Sequence, residues 1–355
     1  MLRRRTLVPG AIMSLLALSA TASIASRSYA GVGSEDREPE VSAPIPTSDD
    51  KVTVTPLTFE VTNPGEPGSK YTIEAFLYEP KGAEGCTSSV VQANHALTTG
   101  RWYWDLPYEN EKYSIARRIA ANGFPFLAYD KLGYGDTYGD KKPDGYTLTV
   151  ENLADVSHQI TTQLRAKGYE HVGLIGHSAG SEESEIQAGK YQDVDALIIS
   201  GYNHFPTMEF GEQFIKEEIP RTNESDYVYF FGDQALRDRY LFTDNADPKV
   251  YAAIHPLVNN TPSGEIRSIG NQPSKFFVNQ ITVPTVILVA EEDRIFDARG
   301  AEAELKLWPN AKDISNIRYA GIGHGVEFHR NGDEVTQDIA DWLKARPEAM
   351  PSCTR

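Results

Sequence analysis

One local arrangement constrains this chain more than any other. The apolar run His171-Val172-Gly173-Leu174-Ile175 leads into Gly176-His177-Ser178-Ala179-Gly180, and that into Ser181-Glu182-Glu183-Ser184-Glu185-Ile186. The first segment reads as a buried strand and the last as the opening turns of a helix. A serine held between glycines at such a strand-to-helix turn has the form of a nucleophile elbow. The turn is too sharp for side chains at the flanking positions, and it leaves the serine hydroxyl exposed on strained backbone. The pentapeptide alone is common; its position between strand and helix gives it weight.

Around the elbow, strand and helix patterns alternate. Residues 52–61 and 71–78 read as an antiparallel pair around Asn63-Pro64-Gly65 and Pro67-Gly68. Residues 88–92, 125–129, 171–175, 195–200, 284–290 and 314–319 supply further strands. Helical periodicity runs over 109–122 up to Gly123, through Val150, Leu153, Val156, Ile160 and Leu164 up to Gly168, and over 334–344. This order predicts an α/β fold with a mostly parallel sheet covered on both faces. Between the strands at 195–200 and 284–290 lie about 80 residues, where a βαβ crossover needs about 30. That interval is rich in aromatics, from Tyr202 and Phe205 through Phe230 and Phe231 to Phe276 and Phe277. It predicts a cap over about 202–280; a plain helical insertion whose aromatics only pack is the other reading.

The termini carry their own signals. Arg3-Arg4-Arg5, then a mostly apolar and small-residue stretch from Leu7 to Ile24, read as a secretory signal peptide over 1–30. Residues 31–50, rich in Ser, Glu, Pro and Asp, read as a disordered leader. The folded domain is expected over 51–347, with a tail at 348–355. The whole chain carries 34 basic and 50 acidic residues, a net charge of −16; loss of residues 1–30 removes four arginines and takes it to −20. Such a surface repels nucleic acid and anionic membranes. No later segment is apolar and long enough to span a bilayer. In a secreted chain the pair Cys86 and Cys353 favours one disulfide, and Asn223-Glu224-Ser225 and Asn259-Asn260-Thr261 are glycosylation sequons. Oligomeric state is not legible.

Ser178 requires a base to take its proton and an acid to hold that base in the right tautomer. Glu291-Glu292-Asp293 come off the end of the strand Pro284 to Ala290, and Gly321-Ile322-Gly323-His324-Gly325 follows the next strand. Asp293 is the favoured acid over Glu291, Glu292 and Asp297, because a carboxylate beyond the strand end reaches an imidazole more easily. His324 in its glycine loop is the favoured base; His329 competes but falls near the start of the last helix, and His177 faces the wrong way along the elbow. Two backbone N–H groups are expected to hold an oxyanion: Ala179 at the helix start, and Leu97 in the loop after the strand 88–92, with Ala96 as the alternative. Trp102, Trp104 and Phe205 are candidate walls of an acyl pocket, although the tryptophans fit a role covering the sheet as well.

In order along the chain, the His95-Ala96 stretch, Asp130-Lys131-Leu132-Gly133-Tyr134-Gly135, the elbow, and the Asp293 and His324 loops resemble the α/β-hydrolase superfamily over roughly residues 51–347. Two positions depart from its pattern: Ala96 stands where the family has glycine, and Lys131 or Leu132 where an arginine is common. The resemblance implies an eight-stranded sheet flanked by helices, a cap, and no metal or organic cofactor. The signal peptide and cap are similar to those of secreted fungal members. The expected activity is that of a serine esterase acting on an ester, lactone or thioester of a medium-sized apolar or aromatic acyl substrate. Acyl transfer with the same residues, or a non-catalytic binding protein on the same fold, are the alternatives.

Overall fold

Apolar runs of about six residues become the centre of a single eight-stranded sheet in the computed structural model, which describes residues 42–108, 112–135 and 141–354. The expected signal peptide and the leader up to residue 41 lie outside the described residues. The strands are β1 (Val52–Val61), β2 (Tyr71–Pro80), β3 (Ser89–Asn94), β4 (Phe126–Tyr129), β5 (His171–His177), β6 (Ala196–Ser200), β7 (Thr285–Ala290) and β8 (Ser315–Tyr319). Their spatial order is β1-β2-β4-β3-β5-β6-β7-β8. Only β2 runs antiparallel to its neighbours; the other adjacent pairs are parallel. This is the mostly parallel eight-stranded architecture expected from the sequence.

The central strands are apolar at nearly every position because both faces are buried, and successive side chains go to opposite faces. Val91, Phe126, Ile175 and Ile198 join Ile115 and Ile119 of helix α1 (Ile115–Ala121) and Ile339 and Leu343 of the C-terminal helix Gly332–Lys344. Their neighbours Val90, Leu127 and Val172 pack instead under Leu153, Val156, Ile160 and Leu164 of α2 (Val150–Ala166). Burying each Leu or Ile of α2 contributes about 1.5–3 kcal/mol. The Thr149 hydroxyl caps α2 by accepting from Asn152 N–H, and Gly168, at φ +102°, ends the segment. Helix α3 (Ala179–Tyr191) lies on the same face as α2 and is buried along almost its whole length.

Two boundaries differ from expectation, while the expected Cys86–Cys353 disulfide forms and holds the tail. α1 begins at Ile115, not near residue 109, because Ser114 accepts from Arg117 N–H and caps it there. The ordered chain begins before Lys51: Arg101 donates to Ala43 O at 2.6 Å, and Arg117 pairs with Asp49 at 2.6 Å. The C-terminal tail is docked. Met350 is fully buried against Gly173, Pro351 O accepts from Ser89, and Cys353 is joined to Cys86 by a disulfide.

Between β6 and β7 the chain forms short helices at Met208–Gln213, Gln234–Leu241, Pro248–Ile254 and Ser263–Ile269, with a π-turn at Phe214–Glu218. A small ribbon pairs Tyr227–Val228 with Thr261–Pro262. Phe230 meets Phe231 at 4.5 Å between ring centroids, and Phe231 stacks on Tyr240 at 5.1 Å. The aromatics therefore build a small core of their own, while several also face the cavity described below. Among the described residues, no helix is long and apolar enough to cross a membrane.

Candidate active site

β5 ends at His177 and α3 starts at Ala179, which leaves Ser178 at φ 52°, ψ −118°. A non-glycine residue there is strained, and only surroundings that over-determine the turn hold it. Ser178 N–H donates to Ser200 O at 2.9 Å, and Ser178 O accepts from Ser181 N–H at 2.9 Å. The flanking glycines are required by space: a Cβ on Gly176 would sit 2.3 Å from Gly180 O, and one on Gly180 2.1 Å from Asn94 O.

The loop after β7 and the loop after β8 meet beside this turn. His324 Nδ1 lies 2.8 Å from Asp293 Oδ2, with the two side chains only 2 % and 4 % exposed. The other oxygen, Asp293 Oδ1, accepts from the N–H groups of Ile295 and Phe296 at 2.7 and 3.1 Å. A carboxylate fixed in this way sets the tautomer of the ring, so Nδ1 carries hydrogen and Nε2 the basic lone pair. Ser178 and His324 line one cavity of about 240 Å³, together with Ala96, Leu97 and Trp102 from the loop after β3. Phe210, Phe214, Phe230, Phe231, Phe242 and Ile269 from the interval between β6 and β7 complete it.

The competing residues are otherwise engaged. Glu291 pairs with Arg318 at 2.9 Å, Asp297 with Arg299 at 2.5 Å, and Glu292 is exposed. His329 Nε2 accepts from the N–H groups of Thr243 and Gly323 at 3.2 and 3.1 Å, and its Nδ1 faces Gly325 O at 2.9 Å. Burial pushes its pKa down to about 4. His329 is a neutral staple of the histidine loop, with no free lone pair. His177 is buried, stacks on Tyr103 at 4.4 Å and faces Ser200 Oγ at 3.2 Å, and burial holds its pKa well below the ordinary imidazole value.

The loop after β3 is held open from beneath. His95 Nδ1 faces Ala96 O at 2.9 Å, and its Nε2 accepts from Lys131 N–H at 3.0 Å. Thr98, at φ +62°, turns the chain; its N–H donates to Thr261 Oγ1 and its O accepts from Asn259 N–H. No described group accepts from Leu97 N–H, and Ala179, as the first residue of α3, has no intrahelical acceptor for its own.

Three sequence expectations need correction. Trp104 is fully buried against Tyr103 and Phe126 and does not reach the cavity, whereas Trp102 does. Phe205 lies against Gly300, outside the cavity. Asn259 is 7 % exposed, and its amide nitrogen donates to Thr99 O at 3.0 Å; the folded chain has no room for a glycan there. Asn223 is exposed, with only its Oδ1 held, by Arg267.

Several buried polar residues near the site carry no spacing signal in the sequence. Lys131 Nζ bridges Glu183 at 2.5 Å and Glu265 at 2.7 Å, joining the turn after β4 to α3 and to the helix Ser263–Ile269. Glu327 accepts from Tyr103 OH and, at 3.1 Å, from Ser200 Oγ, which ties the histidine loop to the strand end that holds Ser178. Glu185, His204 and Glu304 bring ligand-type atoms within 4.8 Å of one another. Both His204 nitrogens are already engaged, Nδ1 with Glu304 and Nε2 with Ser274 Oγ, each at 2.8 Å. Ser274-His204-Glu304 thus repeats the bond order of a serine triad, but all three side chains are fully buried and none lines the cavity.

An eight-stranded sheet of this order, with a strained serine after β5 and histidine and aspartate on the loops after β8 and β7, defines the α/β-hydrolase class. Within it, the chain belongs to the serine aminopeptidase S33 family (Hydrolase_4), whose sequence model matches residues 111–331. The chain is 22% identical over 220 residues to the 2-succinyl-6-hydroxy-2,4-cyclohexadiene-1-carboxylate synthase of Yersinia pseudotuberculosis, covering 56% of this chain and 74% of that one. Its fold is similar to that of a thermophilic esterase from Thermogutta terrifontis (TM-score 0.61, 20% identity, 81% of this chain and 98% of that one). It is also similar to a soluble variant of the monoglyceride lipase of Saccharomyces cerevisiae (TM-score 0.62, 14% identity, 85% and 98%).

Proposed function

We propose that this protein is a serine hydrolase that cleaves an ester or related acyl bond through an acyl-enzyme on Ser178. The observation that carries this reading is the cavity shared by Ser178 and His324, with Asp293 bonded to the far nitrogen of the imidazole. His324 Nε2 takes the hydroxyl proton as Ser178 attacks the carbonyl, and Asp293 stabilises the imidazolium. The N–H groups of Ala179 and Leu97 receive the oxyanion, the former aided by the α3 dipole. His324 then protonates the leaving group, and a water it deprotonates releases the acyl group. The aromatic lining supports a medium-sized apolar or aromatic substrate, and the esterase and lipase among the structural neighbours support the same reaction class. Secretion is part of this reading, supported by the N-terminal pattern and by the Cys86–Cys353 disulfide.

The test is a screen of aryl, alkyl and lactone esters with the wild type and Ser178→Ala. Hydrolysis that disappears in the variant supports the reading; hydrolysis that survives it removes Ser178 from the chemistry. Running the best substrate with a competing alcohol separates hydrolysis from acyl transfer by product.

A further inference from the structure

Besides Ser178, the hydroxyl-bearing residues that line the cavity are Thr98, Thr99, Tyr103 and Tyr202. The last three are engaged within the fold: Thr99 Oγ1 donates to Ala96 O at 3.0 Å, Tyr103 OH donates to Glu327, and Tyr202 OH lies 3.4 Å from Ser274 Oγ. The Thr98 hydroxyl has no hydrogen-bond partner among the described residues. Thr98 is 4 % exposed, and its φ of +62° is an outlier for a β-branched residue. Glycine or asparagine takes that conformation at lower cost. The strained turn is clamped by residues that do not line the cavity: Thr98 N–H donates to Thr261 Oγ1 at 3.1 Å, and Thr98 O accepts from Asn259 N–H at 2.8 Å. With both backbone polar groups turned to that segment, the side chain is what Thr98 presents to the cavity, and its Oγ1 is not among the unbonded polar atoms sealed in the interior. Backbone strain of this kind, over-determined by its surroundings, gathers at functional sites.

Resting on the hydrolase reading above, we propose that the Thr98 hydroxyl is a third donor to the oxyanion, beside the N–H groups of Leu97 and Ala179. Thr98 directly follows Leu97, and consecutive Cα atoms are about 3.8 Å apart, so one carbonyl oxygen can meet the N–H of the first and the hydroxyl of the second. Attack by Ser178 Oγ forms the new C–O bond, shifts the carbonyl π pair onto that oxygen and passes the serine proton to His324 Nε2. Thr98 keeps its own proton and donates a hydrogen bond that strengthens as charge develops on the acceptor. The clamp on its backbone sets the donor in place before substrate arrives, so little reorganisation accompanies the charge.

Two substitutions test this. Thr98→Val keeps the shape and the β-branch and loses the donor, whereas Thr98→Ser keeps the donor. Both are assayed on p-nitrophenyl hexanoate beside the wild type and Ser178→Ala. Turnover that survives Ser178→Ala is a failure of the hydrolase reading; the other outcomes concern Thr98 alone. Thr98→Val should lower kcat about 10–10²-fold, the worth of a hydrogen bond to a charged acceptor, with KM held within about twofold because the bond forms only in the transition state. Thr98→Ser should stay within about threefold of the wild type, since it still donates. The Tm of Thr98→Val should lie within about 2 °C of wild type, because the hydroxyl bonds nothing in the fold. An alkyl trifluoromethyl ketone, whose adduct with Ser178 carries the oxyanion, should bind Thr98→Val more weakly by the same factor as kcat falls, while the matched methyl ketone binds both proteins alike. An unchanged kcat in Thr98→Val, a rise in KM alone, an equal loss in Thr98→Ser, or a Tm lowered by several degrees in Thr98→Val overturns the proposal.

Discussion

Replacing Lys131 by Met removes the one cation from a buried set in which Lys131 Nζ contacts Glu183 and Glu265 at 2.5 and 2.7 Å, while Tyr134 OH donates to Glu265 at 2.5 Å. The three charged side chains are at most 3 % exposed. Burial already holds the Glu183 carboxyl well above its ordinary value, with Lys131 working against that rise. Without the lysine, at least one buried carboxylate must stay uncompensated or bind a proton, a loss of about 3–5 kcal/mol for a broken buried pair. At about 2–4 °C per kcal/mol, that lowers Tm by about 6–20 °C. The pH dependence follows from the sign of the shift. A carboxyl whose folded pKa lies above its unfolded one, ordinarily 4.5, carries no penalty below that value. The penalty grows as pH rises toward the folded pKa. The deficit of Lys131→Met relative to the wild type should therefore be small near pH 4.5 and largest near pH 8, and Lys131→Met/Glu265→Gln should recover at least half of it. Scanning calorimetry at the two pH values reads all three proteins. A Tm within 2 °C of wild type at pH 8, or a deficit that ignores pH, refutes this account of the network.

Three other outcomes are expected. His329→Phe strands the N–H groups of Thr243 and Gly323, so Tm should fall by several degrees while the acid limb of the activity profile keeps its midpoint; a moved limb would make His329 the titrating base. Cys86→Ser/Cys353→Ser opens a bridge between residues 267 apart in sequence and should cost about 2–4 kcal/mol in urea unfolding, where an unchanged midpoint would deny the disulfide any structural role. Expression in a glycosylating host should give glycan at Asn223 and none at Asn259, read by peptide mass spectrometry; occupancy at Asn259 contradicts its buried placement.

The parts of the molecule that the sequence disclosed are those where local chemistry and global position agree. Two glycines around Ser178 are demanded by contacts with Gly180 O and Asn94 O, and the apolar run before them can only be a strand buried on both faces. Asp293 stood out from Glu291 and Asp297 by loop position, and the structure adds that arginines hold those two. The failures arise where burial depends on distant partners. Glu182, Glu183 and Glu185 look like solvated first-turn carboxylates, yet α3 runs through the interior. The side chains that meet Glu183 and Glu185, Lys131 and His204, lie 52 and 19 residues away along the chain. Aromatic content marked the interval between β6 and β7 as important, but cannot say which rings face inward; Phe230 does and Phe205 does not. A sequon likewise carries no record of burial, so Asn259 and Asn223 look alike until the fold is built.

The central claim is that Ser178, activated by His324, forms the covalent intermediate. The most direct measurement is peptide mapping after treatment with a fluorophosphonate, applied to the wild type, His324→Ala and Ser274→Ala. The account predicts stoichiometric label on the peptide containing Ser178, labelling slowed by at least about 10³ in His324→Ala, and no change in Ser274→Ala. Label on Ser274, or no label on Ser178 at any pH from 6 to 9, contradicts it.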